Sequence, residues 1–175
     1  MSSDRFRDVS VGYFFWGQPV LVVCPSCSEC ALSIPLSRLW DGQVPPFTTE
    51  TFEAHQEWLR LTRARRVACG SCAYSRETRS RTVVDPSAAL DPHFGLPLWL
   101  VTPCVGETMW AWNEEHLHVL TGYIGAKHRE RSPFLDGQKS YLERLPRWMK
   151  AASNRKAVLD AIERLRHRLP VEASK

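Results

Sequence analysis

An α+β fold is what this 175-residue sequence predicts, and three features predict it. Two C-x-x-C pairs, Cys24/Cys27 and Cys69/Cys72, stand far apart in the chain. The segments around them are rich in β-branched and aromatic residues bounded by Gly and Pro, the composition of short strands. From residue 113 onward, apolar residues recur at helical spacing instead. The expected organisation is a β-rich unit with an inserted helix over residues 9–112, followed by a basic α-helical unit over residues 113–170.

Taken in order, residues 1–10 are polar and expected to be frayed. Residues 11–23, Val-Gly-Tyr-Phe-Phe-Trp-Gly-Gln-Pro-Val-Leu-Val-Val, read as a strand running into the first cysteine pair. Pro45-Pro46 breaks the chain, and Thr48 or Thr49 then caps a helix over about 50–65. Glu50, Glu53 and Glu57 lie towards its front and Arg60 to Arg66 towards its back, which suits the helix dipole. Residues 66–84 return as two short extended segments around Cys69-Gly-Ser-Cys72, and residues 85–97 are turn-rich. Residues 98–102 read as a buried strand and residues 107–112 as another, with a turn at Gly106. Asn113 caps a helix that carries Glu114 and Glu115 in its first turn, Leu117, Leu120, Tyr123 and Ile124 on its apolar face, and an end near Arg131. A further helix from about Gln138 is stopped by Pro146. Ser153 caps a last one, striped with Val158, Leu159, Ile162, Leu165 and Leu169 and ended by Pro170.

The cysteines carry the chemistry. A two-residue spacer lets two thiolates reach one ion from a tight turn, with Pro25 and Gly70 expected to ease the two turns. Two such knuckles supply four soft ligands, a set that suits tetrahedral Zn2+. This makes the first unit a zinc-ribbon-like β unit. Four cysteines would fill the shell, leaving no open position for water or substrate, so the expected role is structural and not enzymatic. A thioredoxin-like redox pair needs a βαβ context that is missing. Cys30 continues the Cys24-x-x-Cys27 spacing and is a candidate replacement ligand, while Cys104 reads as a small core hydrophobe. His55-Gln-Glu57 ahead of Cys69-x-x-Cys72 looks like the zinc-deaminase signature, but Ala68 stands where that signature has Pro, and Cys24 and Cys27 would have no role. His116 and His118 are two apart on a helix, so they share no face and read as surface residues.

Net charge is only +4, so distribution matters more than total. Arg60, Arg63, Arg65 and Arg66 precede the second knuckle, and Arg76, Arg79 and Arg81 follow it, with Glu77 as the local offset. More basic residues run through the last helices, from Lys127 to Arg168. A cluster of this kind beside a rigid staple can neutralise phosphates, so it is the expected nucleic-acid contact. No base-reading motif is visible, so contact would be electrostatic and weak in sequence preference. Trp110 and Trp112 alternate around Ala111 and should face one side of a strand as packing residues. There is no secretory-type start and no apolar run long enough to span a bilayer, so a cytoplasmic protein without a membrane or small-molecule partner is expected.

The stretch from Gly95-Leu-Pro-Leu-Trp-Leu-Val-Thr-Pro-Cys104, through Trp110-Ala-Trp-Asn-Glu-Glu-His-Leu and Tyr123-Ile-Gly-Ala-Lys-His-Arg-Glu-Arg131, to Leu145-Pro-Arg-Trp-Met-Lys-Ala-Ala-Ser-Asn-Arg155 resembles a group of small, largely uncharacterised bacterial zinc-ribbon proteins. The resemblance covers about half the chain. It implies a ribbon fold and a metal, and it brings no assigned activity. Such relatives are expected to carry a second cysteine beside position 104, where this chain has Val105, so no metal role for Cys104 follows. The leading expectation is a nucleic-acid-binding module with a structural zinc, the competing one a protein–protein adaptor in a transcription, defence or mobile-element complex, and a third an enzyme whose site the sequence does not display.

Overall fold

A computed structural model describes residues 5–8, 18–36, 64–79, 88–130 and 140–170, and it is mixed α and β. Among the described residues the strands are β1 (Arg5–Arg7), β2 (Val20–Val23), β3 (Cys30–Pro35), β4 (Arg65–Cys69), β5 (Ser75–Thr78), β6 (Leu100–Cys104), β7 (Glu107–Ala111) and β8 (His128–Glu130). The helices are α1 (Glu114–Gly125), α2 (Arg147–Lys150) and α3 (Arg155–Arg166), with 3-10 turns at Leu142–Arg144 and Ala152–Asn154.

Strands β2 to β5 form one antiparallel sheet in chain order. Its inner face carries Val20, Val22, Ala31 and Val67, roofed by Leu98, which bridges Val22. Because side chains alternate along a strand, Leu21 points the other way, into a larger cluster with β6, β7, α1 and α3. Val20, Leu21 and Val22 are therefore all buried, as a continuous apolar run on a two-sided strand should be. Backbone bonds fasten β2 on that side: Leu21 N–H donates to Trp112 O at 2.8 Å, and Trp99 N–H to Leu21 O at 3.0 Å.

The β6–β7 hairpin turns through Val105 and Gly106, both at positive φ (52° and 76°). That is the geometry favoured by two-residue hairpin loops, but Asn-Gly is its usual sequence and a β-branched residue is strained there. The hairpin packs on α3, so strands assigned by sequence to the β-rich unit share a core with the helices. Arg164 Nη2 donates to Pro103 O at 2.9 Å and Arg168 Nη1 to Val101 O at 2.6 Å. In return, Trp99 Nε1 donates to Arg168 O at 2.9 Å.

Asn113 caps α1 as expected, its side-chain oxygen accepting from His116 N–H at 2.8 Å. Its Nδ2 also donates to Pro19 O at 2.8 Å, tying the helix start to the entry of β2. His116 is not on the surface but fully buried. Its Nδ1 accepts from Trp112 N–H at 3.2 Å, its Nε2 lies 3.1 Å from Tyr141 Oη, and its ring stacks 4.8 Å from Trp112. The Trp-Asn-Glu-Glu-His segment is thus a structural knot between β7, α1 and the 3-10 turn.

Several boundaries differ from expectation. α1 stops at Gly125 with Ala126 already extended, and residues 128–130 form a strand instead of a last helical turn. That strand pairs in parallel with β1, so residues 5–7 are docked and not frayed. Phe6 meets Tyr123 edge-on at 5.7 Å and lies against Gly122, where a Cβ would come within 3.0 Å of its ring. Asn154, not Ser153, occupies the N-cap of α3, without a side-chain cap bond. The strand expected over 11–17 and the helix over 50–63 lie outside the described residues, but Arg65 opens β4 where the helix was expected to end.

Relieving the hairpin turn should stabilise the chain. Val105→Asn is expected to raise unfolding free energy by about 1 kcal/mol, read by urea denaturation, because a non-Gly residue in the left-handed region costs roughly 1–2 kcal/mol. A second expectation concerns pH. Burial lowers the His116 pKa from 6.5 to about 3. The unfolded chain therefore takes up a proton first, and stability falls as pH drops from the unfolded to the folded value, by about 1.4 kcal/mol per pH unit. His116→Gln should make the stability–pH curve shallower by one proton in that window; parallel curves would contradict the buried neutral imidazole.

Candidate metal centre

The two knuckles are the two tight turns at one end of the sheet. Cys24 follows β2 and Cys27 lies in the loop to β3, while Cys69 ends β4 and Cys72 lies in the loop to β5. Antiparallel pairing of β3 with β4, with Ala31 opposite Cys69, brings the loops side by side. The four sulfurs all lie within 4.8 Å of one another. The shortest separations run between the knuckles: Cys24 to Cys72 at 3.6 Å and Cys27 to Cys69 at 3.6 Å.

These distances fit a tetrahedral thiolate site. Metal–sulfur bonds of about 2.3 Å imply a sulfur–sulfur edge of about 3.8 Å. The donor set, four cysteines with no carboxylate or imidazole in the group, is that of a closed structural site.

Both knuckles are shaped by the same backbone device. Cys24 N–H donates to Glu29 O at 2.8 Å, and Cys69 N–H donates to Tyr74 O at 3.0 Å. The conformational cost of the first turn falls on Ser28, at φ 64°. Gly70, expected to relieve the second turn, is not at positive φ, and a Cβ there would meet nothing within 4 Å. Backbone N–H groups also point at sulfur: that of Glu29 at Cys27, and those of Ser71 and Cys72 at Cys69. Ser71 and Cys72 lie two and three residues beyond Cys69, within its C-x-x-C spacing, whereas Glu29 lies two beyond Cys27, in the loop that leads to β3.

The thiols share their protons unequally. For Cys69, desolvation works against ionisation, yet the Ser71 and Cys72 N–H groups and the thiols of Cys27 and Cys24 bring its pKa down to about 7. For Cys27, the Glu29 N–H favours the thiolate, but desolvation and hydrogen bonds with Cys72, Cys69 and Cys24 push it up to about 12. Four sulfurs this close cannot all ionise without a cation among them, and thiolate ligation of a divalent ion would supply one.

Cys30 is outside the cluster because strand alternation turns it to the opposite face. It begins β3 opposite Val23 and packs against the helical core, and desolvation, with Cys69 and Glu29 nearby, raises its pKa to about 11. Cys104 is buried in that core with its sulfur 3.6 Å from Ala157 O.

The arginines divide. Arg65 is a correction: its side chain is fully buried, Nε donating to Ser33 Oγ at 3.1 Å and Nη2 to Gln18 O at 2.7 Å. It cannot reach a phosphate. Its charge instead lies near the buried carboxyl of Asp91, whose pKa is raised by desolvation against the favourable Phe94 N–H, Arg65 and His93 N–H. Arg66 is exposed but bonded to Glu77, with Nε 2.9 Å from Oε1. Arg76 and Arg79 are exposed. Arg60, Arg63 and Arg81 lie outside the described residues, as do His55 and Glu57. In α3 and the turn after it, Arg164, Arg166 and Arg168 are engaged with β6 and α1, not presented as a free basic face. The buried partners Asp91 and His116 carried no motif; their only sequence signal was a polar residue among apolar neighbours.

Replacing Cys24 by Ser should abolish metal retention, read by elemental analysis of dialysed protein, and lower unfolding stability by several kcal/mol, in line with the roughly 10–16 kcal/mol of apparent binding energy at structural zinc sites. Cys30→Ser should leave metal content unchanged. Arg65→Ala should cost several kcal/mol, at about 1–3 kcal/mol for each buried acceptor left without its donor, with Ser33 and Gln18 O the acceptors concerned. No known protein family, characterised protein or solved structure matches this chain.

Proposed function

We propose that the chain is a structural-zinc module that binds nucleic acid through basic side chains next to the metal staple. The observation that carries the metal half is the group of four thiols within 4.8 Å, drawn from two hairpin turns of one sheet. A bound Zn2+ would contribute four coordinate bonds that clamp the β2–β3 turn to the β4–β5 turn. Cys24, Cys27, Cys69 and Cys72 would supply all four ligands, which leaves no position for a substrate and favours a structural over a catalytic role.

The nucleic-acid half is supported by Arg76 and Arg79, exposed in and just after β5 beside the second knuckle. Arg66 stands on the neighbouring strand, its charge partly answered by Glu77. That pair is half exposed on both sides, so solvent screens it and a phosphate can compete for the guanidinium. With Arg65 turned inward, the exposed arginines available to phosphate are Arg66 on one face of the β4–β5 pair, Arg76, opposite Val67, on the other, and Arg79 just beyond the edge strand, with Arg60, Arg63 and Arg81 in the flanking sequence. Backbone contact of this kind positions a nucleic acid without reading its bases.

The test is fluorescence anisotropy with labelled single- and double-stranded DNA and RNA across a salt series. Binding should weaken steeply with salt. Arg76→Glu with Arg79→Glu should make it weaker by tenfold or more and reduce the log–log salt slope by roughly two, about one for each phosphate that is no longer neutralised. Absence of binding at low salt would refute this reading and leave the adaptor role.

A further inference from the structure

The four sulfurs are not equivalent in their access to solvent. Cys24 is 1% exposed, whereas Cys69 and Cys72 are both partly exposed. Cys27 is exposed, in a loop whose residues 25–29 are all exposed, and Cys69 is partly open beside the exposed Gly70 and Ser71. The short separations pair them accordingly: an outer pair, Cys27 with Cys69 at 3.6 Å, and an inner pair, Cys24 with Cys72 at 3.6 Å. Each pair joins one hairpin turn to the other. Cys30, the remaining thiol of the first segment, faces away and cannot intervene without breaking the β2–β3 pairing.

We propose that Cys27 and Cys69 form a hydroperoxide-sensitive latch, which on oxidation exchanges the metal staple for a disulfide between the same two hairpins. The inference rests on the metal-staple reading above. In the zinc-loaded chain the exposed Cys27 sulfur, deprotonated as a ligand, attacks one peroxide oxygen, forming an S–O bond and breaking the O–O bond, with hydroxide leaving. The Cys69 sulfur, in contact, then attacks the sulfenic sulfur, forming S–S and expelling the second hydroxide. The two sulfurs together lose two electrons, the hydroperoxide gains them, and the hydroxides take up protons as water. Zn2+ keeps its oxidation state and leaves, because two remaining thiolates do not make a closed four-coordinate site. Cys24 stays reduced through this first step because it is buried, and Cys72 because its short contact is to Cys24 and not to the exposed Cys27.

What distinguishes this latch from ordinary zinc-site oxidation is the pairing. A disulfide within a knuckle would free the two hairpins from each other. One between Cys27 and Cys69 keeps them fastened, so the sheet persists after the metal has gone.

The experiment treats the zinc-loaded full chain with hydrogen peroxide. Zinc release is followed with a chelating dye, intact mass shows the loss of two hydrogens, and proteolysis with mass spectrometry maps the bond. Zinc release and a Cys27–Cys69 disulfide are expected to appear with the same rate constant, with the far-ultraviolet circular dichroism retained and dithiothreitol restoring zinc binding. Cys30→Ser with Cys104→Ala should change that rate by less than twofold. A bond within either knuckle, a bond to Cys30 or Cys104, zinc retained under a large excess of peroxide, or zinc released with Cys27 and Cys69 still reduced would each overturn the latch. Zinc content before peroxide is added tests the metal reading separately. A chain purified without zinc fails that reading, while disulfide mapping on it still decides which sulfurs pair.

Discussion

β2 carries four successive apolar residues, and a strand shows successive side chains to opposite faces, so both faces must be covered. One face is covered by the inner residues of its own sheet and by Leu98, the other by the hairpin and helices that follow much later in the chain. The strand is therefore the shared wall of two cores. Burying it on both sides removes more apolar surface than either core would alone, at roughly 25 cal/mol for each Å². Its C-terminal end delivers Cys24 to the metal centre, and its N-terminal end is held by Asn113 through Pro19. The cysteine cluster and the helical core are thus joined through the four residues of β2.

The basic residues show how poorly residue type alone predicts role. Arg65 and Arg66 are adjacent, yet strand alternation sends one into the core and the other to solvent. The inward arginine is tolerable because it donates to Ser33, to Gln18 O and to Ser33 O, and because the Asp91 carboxyl lies near it. A buried guanidinium left without such partners would cost far more than the packing could return. In α3 and just beyond it the pattern is different but the lesson is similar. Arg164 and Arg168 are one helical turn apart, so both reach carbonyls of β6 and hold the helix against the hairpin. Charge counted from sequence overstated what is free to meet a polyanion.

What was legible in the sequence follows from how local each signal is. The cysteine tetrad, the Asn113 cap and the stripe of α3 are set by spacing over a few residues, and the structure has all of them. The 3.6-residue period placed α1 and α3, but residues 128–130 form a strand, and the helix expected from about Gln138 to Pro146 is a 3-10 turn at Leu142–Arg144 among the described residues. Non-local features were not legible. The parallel pairing of β1 with β8 joins segments far apart in the chain, and nothing in Arg-Phe-Arg announces it. The burial of Arg65 depends on the register of β4 against β3, which is fixed by Ser33 and Val67 standing opposite each other. His116 was misplaced because a helix position says which face a residue occupies, not whether another segment covers that face; Tyr141 does so. The core shared by β6, β7 and the helices likewise crosses the boundary that composition suggested at residue 112.

The metal centre illustrates the division of labour between backbone and side chain. Each knuckle is closed by a bond from its first cysteine N–H to the carbonyl five residues on, and these two bonds need no ion. Strand pairing on either side of the loops also needs none. Loop closure and strand pairing together bring the four sulfurs to within 4.8 Å of one another. What the backbone cannot supply is compensation for four sulfurs in mutual contact, where one thiolate is stabilised only by drawing on the hydrogens of the others. A cation removes that conflict, because all four can then ionise together around one centre. Close packing of four thiols from two turns is thus a geometry the backbone builds and a charge problem that a metal ion would solve.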